Sequence, residues 1–116
     1  RAAFTRHNVF CGTGEAESVS QFYHILGTVE QNRGCTDVGE EHYEYTLYTA
    51  CCNADKGIYY YNTYENHQIT AVSLHREDLE RHDLIRYPLI QGEQIRHQNG
   101  KMPAASSAAG AFVQSV

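Results

Sequence analysis

Thiols and imidazoles are the groups in this chain best suited to covalent or metal chemistry. There are four cysteines, Cys11, Cys35, Cys51 and Cys52, and seven histidines, His7, His24, His42, His67, His75, His82 and His97. A cysteine attacks an acyl group as the thiolate, beside a base that a third group orients. Cys11 with His7 or His24 is the pairing to weigh, but Cys11 sits in a Gly-containing link with no obvious orienting group. It reads as a free thiol. An N-terminal nucleophile would need Cys, Ser or Thr at position 1, which holds Arg1. The histidines are dispersed, with no HExxH or HxH pattern, so they read as polar surface residues without a metal. The cysteine spacings match neither a CxxC redox motif nor a zinc ligand set, and adjacent Cys51 and Cys52 point to opposite faces of a strand. Buried or half-buried free thiols in a reducing compartment are expected. Tyr59, Tyr60, Tyr61 and Tyr64 suggest an aromatic platform. Adjacent tyrosines face opposite ways in a strand, so packing against two covering layers explains them better. The residues themselves thus supply no catalytic, cofactor-binding or metal-ligating site.

The elements that would position these groups follow from periodicity. Residues 1–9 read as the end of an amphipathic helix, with Ala2, Ala3, Phe4 and Val9 toward a core. Residues 11–17 form a polar link. Val19, Phe22, Leu26 and Val29 then recur at helical spacing, widened by Tyr23 and Ile25. Ser18 and Gln21 resemble a capping box, Glu15 and Glu17 suit the positive end of the helix, and Gly34 lies where a C-cap glycine is expected. The period then becomes two. Strands are predicted over 42–52, 57–64 and 68–74, with turns at 53–57 and 65–67, as an antiparallel meander. Residues 75–84 are charged and read as a short helix with pairs such as Glu77 with Arg81. Residues 84–90 read as an extended edge, and the Ala/Ser-rich 98–116 as a disordered tail.

Composition bounds the remainder. The chain has 116 residues, enough for one modest domain, with 41% hydrophobic and 20% charged residues and nine tyrosines, a globular balance. Nine Lys and Arg against 14 Asp and Glu give a net charge of -5, and the basic residues form no stripe, so nucleic acid is not an expected partner. No apolar run approaches the roughly 20 residues a membrane span needs. Both faces of the predicted strands carry apolar groups, so the sheet should be covered on both sides, which one helix does not achieve. With Arg1 first and Met102 the only methionine, the chain reads as cut from a longer one whose absent part supplies the missing layers. In isolation it is expected to be poorly soluble or molten.

Two stretches carry a family resemblance: SVSQFYHILGTVEQNRGC from Ser18, and YEYTLYTACCNADKGIYYYNTYENHQITAVSL from Tyr43. With LERHDLIRYPLI from Leu79, they resemble the C-terminal part of the choloylglycine hydrolases, the bile salt hydrolases and penicillin V acylases of the N-terminal-nucleophile superfamily. The resemblance covers residues 1–97 and leaves 98–116 unexplained. It implies an α+β fold, part of an αββα sandwich with two antiparallel sheets between helical layers. It implies a thiol at the start of the mature chain, with its own α-amino group as base or assisting through water, attacking the amide that joins a bile acid to glycine or taurine. Backbone and Asn donors hold the oxyanion, and an acyl-enzyme is hydrolysed. None of those residues maps onto this chain. The family's active-site arginine precedes this stretch in an SRF segment, and Arg1 aligns about one helical turn later.

The implied partners are the N-terminal remainder of the same protein and, for the full-length enzyme, a conjugated bile salt. No cofactor, nucleic acid or membrane is implied. A homotetramer in the bacterial cytoplasm is expected. The rivals are a penicillin V acylase segment and an inert fragment or interaction module without activity of its own.

Overall fold

The computed structural model describes residues 1–100, so the tail expected over 98–116 lies almost entirely outside the described residues. Two helices precede the strands. α1 spans Ala2–Asn8 and α2 spans Glu15–Gly27. The second helix starts one turn earlier than the capping pattern suggests, because the Ser18 N–H donates to the Gly14 carbonyl at 3.0 Å and places Ser18 inside the helix. Gly14 is the N-cap and has no side chain to cap with. The helix also ends early, at Thr28, whose hydroxyl donates to the Ile25 carbonyl at 2.7 Å. Gly34 instead turns the following loop, at φ 95°. Val19, Phe22, Tyr23, Ile25 and Leu26 are half-buried, as their spacing predicts, while Val29, beyond the helix end, is exposed. Phe4 of α1 is 73% exposed and does not meet a core.

The strand region divides in two. β1 (Thr36–Gly39) and β2 (His42–Glu44) form an antiparallel hairpin that alternation did not reveal. Its turn places Glu40 and Glu41 at φ 54° and 60°, a left-handed conformation that Asn-Gly pairs usually signal. The single strand expected over 42–52 is interrupted at Tyr45–Leu47. Here the chain bonds back to the loop after α2: Thr46 N donates to the Gln31 carbonyl at 3.0 Å, and Gln31 N to the Thr46 hydroxyl at 2.9 Å. The Arg33 guanidinium lies 4.4 Å from the Tyr45 ring centroid and 5.5 Å from that of Tyr64, and pairs with Glu65 at 3.5 Å. This clasp ties the hairpin's base to the larger sheet.

That sheet is the expected meander, in order β3 (Tyr48–Asn53), β4 (Ile58–Thr63), β5 (Asn66–Ser73), with both pairings antiparallel. In the β3–β4 turn, Asn53 Oδ1 accepts the Lys56 N–H at 3.1 Å. Gly57 takes φ 64°, a left-handed conformation that glycine adopts without strain, while the exposed His75 ring nearby could swing aside for a side chain there. The two-residue β4–β5 turn is closed by Asn66, 1% exposed, whose Oδ1 accepts the Gln68 N–H at 2.8 Å.

Beyond β5 the structure departs from the sequence reading. Residues 75–84 form no helix. A single 3-10 turn, Leu74–Arg76, ends where Asp78 Oδ1 accepts the Glu80 N–H at 3.1 Å, an Asx turn that competes with helix growth. The Glu77–Arg81 pair does not form; Glu77 takes the Tyr87 hydroxyl, and Arg81 faces Asp83 at 3.9 Å. Residues 84–93 carry no strand and run as a strap over the sheet face away from α2. Tyr61 and Thr63 hold it there, and they are two of the buried residues, with Tyr60 and Asn66. The layers are therefore α2, the three-stranded sheet, and a partial strap. Much of the apolar surface stays open, with Tyr48 59% and Leu47 63% exposed.

Candidate functional site

Alternation along β3 and β4 sends Thr49, Cys51 and Tyr60 toward α2, where Val19 and Phe22 lean back over them. Between helix and sheet lies a cavity of about 540 Å³, lined by Val19, Phe22, Cys51, Cys52, Lys56 and Tyr60 among others. Its rim is a three-residue cluster. Glu15, in the first turn of α2, accepts the Lys56 ammonium on one carboxylate oxygen and the Tyr60 hydroxyl on the other. Lys56, and then Tyr60, holds the Glu15 carboxyl below the usual carboxylate range. In return Glu15, helped by burial, pushes the Tyr60 phenol up to about 12. Deeper in, the Tyr23 hydroxyl donates to the Thr49 carbonyl at 3.4 Å. Burial first, then the neighbouring Cys51 and Tyr59, pushes the Tyr23 phenol up to about 12.

Cys51 is the one half-buried cysteine. Burial and the adjacent Cys52 push its thiol up, against the nearby Tyr23 hydroxyl, which works the other way. A thiol so shifted is further from the thiolate that nucleophilic attack requires. The cavity wall therefore holds a helix on a sheet and lacks an activated nucleophile.

The other sequence candidates do not converge. Cys11, His7 and His24 are all exposed, so no desolvated thiol–imidazole pair exists there. All four cysteines are free, but only Cys51 is partly covered; Cys35 and Cys52 are exposed, contrary to the expectation of buried or half-buried thiols. Among the described residues, no group of three or more His, Cys, Asp or Glu is placed to hold a metal ion. The tyrosine run does split between two faces. Tyr60 reaches Glu15 on the α2 side, Tyr61 meets the strap on the other, and Tyr64 accepts the Arg33 N–H at 3.1 Å. Sequence reasoning took Glu15 as a helix-end charge and missed its cluster, because Lys56 and Tyr60 lie 41 and 45 positions away.

The sequence of residues 1–87 matches the family model described as linear amide C-N hydrolases, choloylglycine hydrolase family. The chain belongs to the choloylglycine hydrolase family. It is similar to a bile salt hydrolase/transferase of Lactiplantibacillus plantarum, with 55% identity over 89 residues, covering 77% of this chain and 28% of that protein. A bile salt hydrolase/transferase of Clostridium perfringens is 38% identical over 99 residues, covering 85% of this chain and 30% of the relative. The solved structure of a conjugated bile acid hydrolase variant from Clostridium perfringens superposes with a TM-score of 0.74 at 39% identity, over 85% of this chain and 30% of that one. The chain thus spans less than a third of the length of the relatives it matches. The choloylglycine hydrolase architecture accounts for the α+β fold, with α2 and the meander as one part of the αββα sandwich. No helix among the described residues is long and apolar enough to cross a membrane.

Proposed function

We propose that these residues are the scaffold part of an enzyme that cleaves the amide of glycine- or taurine-conjugated bile acids. The thiol nucleophile, its base and its oxyanion donors belong to a part of the protein outside these 116 residues. The observation that carries the reading is the 55% identity to a bile salt hydrolase/transferase over 89 residues. Acyl transfer by cysteine needs a thiolate, a base in reach and donors for the developing oxyanion. Here the half-buried thiol is shifted the wrong way, and the Glu15 carboxylate at the rim of its cavity is occupied by Lys56 and Tyr60. What these residues supply is a covering helix joined to a sheet through the Glu15, Lys56 and Tyr60 side chains. Four free cysteines fit a reducing interior such as the bacterial cytoplasm.

The test compares two proteins on three substrates. The full-length protein carrying these residues is incubated with glycocholate, taurocholate and penicillin V, and the released amine or side-chain acid is measured. The 116-residue chain is assayed in parallel. Release of glycine or taurine by the full-length protein alone is the expected result. Faster turnover of penicillin V would reassign the parent enzyme to the penicillin V acylases. Amide cleavage by the 116-residue chain would overturn the scaffold role.

A further inference from the structure

The strap's last hold on the sheet is Glu93, which accepts the His67 N–H at 3.1 Å. Residues 91–100 are all exposed and carry no helix or strand, and the described stretch ends in a turn at Gln98 and Asn99 followed by Gly100. Gly100 takes φ 73°, and beyond its chain neighbours no heavy atom of the described residues stands within 4 Å of where a Cβ would be. Its backbone nitrogen is therefore crowded neither by a side chain of its own nor by a neighbour. The chain's other asparagines are differently placed. Asn66 is 1% exposed, and its Oδ1 accepts the Gln68 N–H at 2.8 Å. Asn53 Oδ1 accepts the Lys56 N–H at 3.1 Å, and Asn8 Nδ2 donates to the Phe4 carbonyl at 2.8 Å. Asn62 lies in β4 opposite Thr49. Only Asn99 is followed by glycine.

We propose that Asn99 is a self-modifying site, at which the Gly100 backbone nitrogen displaces the side-chain nitrogen and asparagine becomes aspartate and isoaspartate. Hydroxide from solvent takes the Gly100 N–H proton. The nitrogen then bonds to Asn99 Cγ, the Cγ–Nδ2 bond breaks, and Nδ2 takes a proton from water and leaves as ammonia. A five-membered succinimide ring results. Water opens it at either carbonyl. Breaking the new bond at Cγ leaves aspartate, and breaking the bond at the main-chain carbonyl leaves isoaspartate, whose backbone runs through Cβ and Cγ. One water is consumed and one ammonia released, with no change of oxidation state. The attack is intramolecular, so its rate is set by how readily the two groups reach the right orientation. A side chain tied in a turn, as at Asn53 and Asn66, does not reach it; an unheld asparagine before a glycine does. The product adds a carboxylate to a chain whose net charge is already -5. As isoaspartate it also lengthens the main chain by one carbon just ahead of the Ala/Ser-rich stretch.

The native full-length protein carrying these residues is incubated across a pH series and digested, and peptide mass mapping reads a gain of one dalton at each asparagine. Samples held unfolded in urea give the rate of each residue without its structure. In the native protein Asn99 should convert at least about ten-fold faster than Asn53 or Asn66, a ratio equivalent to about 1.4 kcal/mol of barrier. It should also stay within about two-fold of its own rate in urea, since an unheld segment opens at almost no cost. The rate should rise with pH, because the attacking nitrogen must lose its proton, and isoaspartate should accompany aspartate. Gly100→Val sets a branched side chain beside that nitrogen and should slow conversion at least about ten-fold. Aspartate without isoaspartate would mean direct hydrolysis and overturn the ring mechanism, as would an unchanged rate in Gly100→Val. Conversion of Asn53 or Asn66 as fast as Asn99, or protection of Asn99 in the native protein by about ten-fold or more, would overturn the site itself.

Discussion

Tyr61 and Ile90 lie 29 positions apart, and the tyrosine hydroxyl accepts the Ile90 N–H at 3.4 Å. Two residues along β4, the Thr63 hydroxyl donates to the Ile90 carbonyl at 3.3 Å. One strand thus satisfies both backbone groups of a single strap residue, which explains how a segment without secondary structure keeps a fixed course. Glu93 adds a third point, accepting the backbone N–H of His67 at 3.1 Å and meeting its ring.

Removing the grip should loosen the strap before it affects the sheet. Hydrogen bonds of this length sit at the weak end of the usual range, about 0.5–1 kcal/mol each. Tyr61→Phe and Thr63→Val, singly, are expected to raise amide exchange across residues 89–91 about two- to five-fold, with β3–β5 amides unchanged. Exchange measured by NMR or mass spectrometry decides this. Equal exchange in the variants and the parent chain would mean that apolar contact alone seats the strap.

The Glu15 cluster makes the helix–sheet joint sensitive to pH at both ends. Glu15 is held below its ordinary range, so its contribution is present above that range and is lost as pH falls through the lowered folded value. Tyr60 has the opposite sign. Its phenol is raised, so its contribution is complete below the ordinary value near 10 and disappears as pH rises through about 12. Glu15→Gln should remove the acid-side dependence. It should also return one late-titrating tyrosine toward its ordinary range in a tyrosinate absorbance titration, while Tyr23, shifted mainly by burial, stays high. Tyr60 still titrating near 12 in the variant, assigned by residue-resolved NMR, would contradict the cluster.

Which features were legible in the sequence depends on where their causes lie. α2 and the β3–β5 meander follow from side-chain periodicity, and the turn at Gly57 from local chemistry. The β1–β2 hairpin escaped notice because Glu40 and Glu41 occupy left-handed positions without the Asn-Gly pair that announces such turns. The break at Tyr45–Leu47 has a distant cause, the loop after α2 bonding to Thr46. Residues 75–84 carry helix-forming charges, but Asp78 caps a turn with its own side chain. The Glu15–Lys56–Tyr60 cluster joins three segments that only the tertiary fold brings together, and no local pattern encodes it.

The Arg33 clasp should matter for the hairpin more than for the sheet. Its guanidinium faces Tyr45 and Tyr64, whose rings meet edge to face at 4.9 Å, and Glu65 closes the other side. A planar cation stacks on aromatic rings in a way that an ammonium does not reproduce. Arg33→Ala is expected to speed amide exchange in residues 36–44, and Arg33→Lys to restore only part of the protection. Full restoration by lysine would show that charge alone, paired with Glu65, holds the loop.

The cysteines give the sharpest prediction for catalysis. The Cys51 thiol is pushed up by burial and by Cys52, and no carboxylate or imidazole lies against it to draw off the proton. The other three thiols are exposed. If acyl transfer runs through a thiol elsewhere in the protein, Cys11→Ser, Cys35→Ser, Cys51→Ser and Cys52→Ser in the full-length protein should each keep kcat on glycocholate within about two-fold, since a lost nucleophile costs orders of magnitude. A loss of several orders of magnitude in any serine variant would make that thiol catalytic.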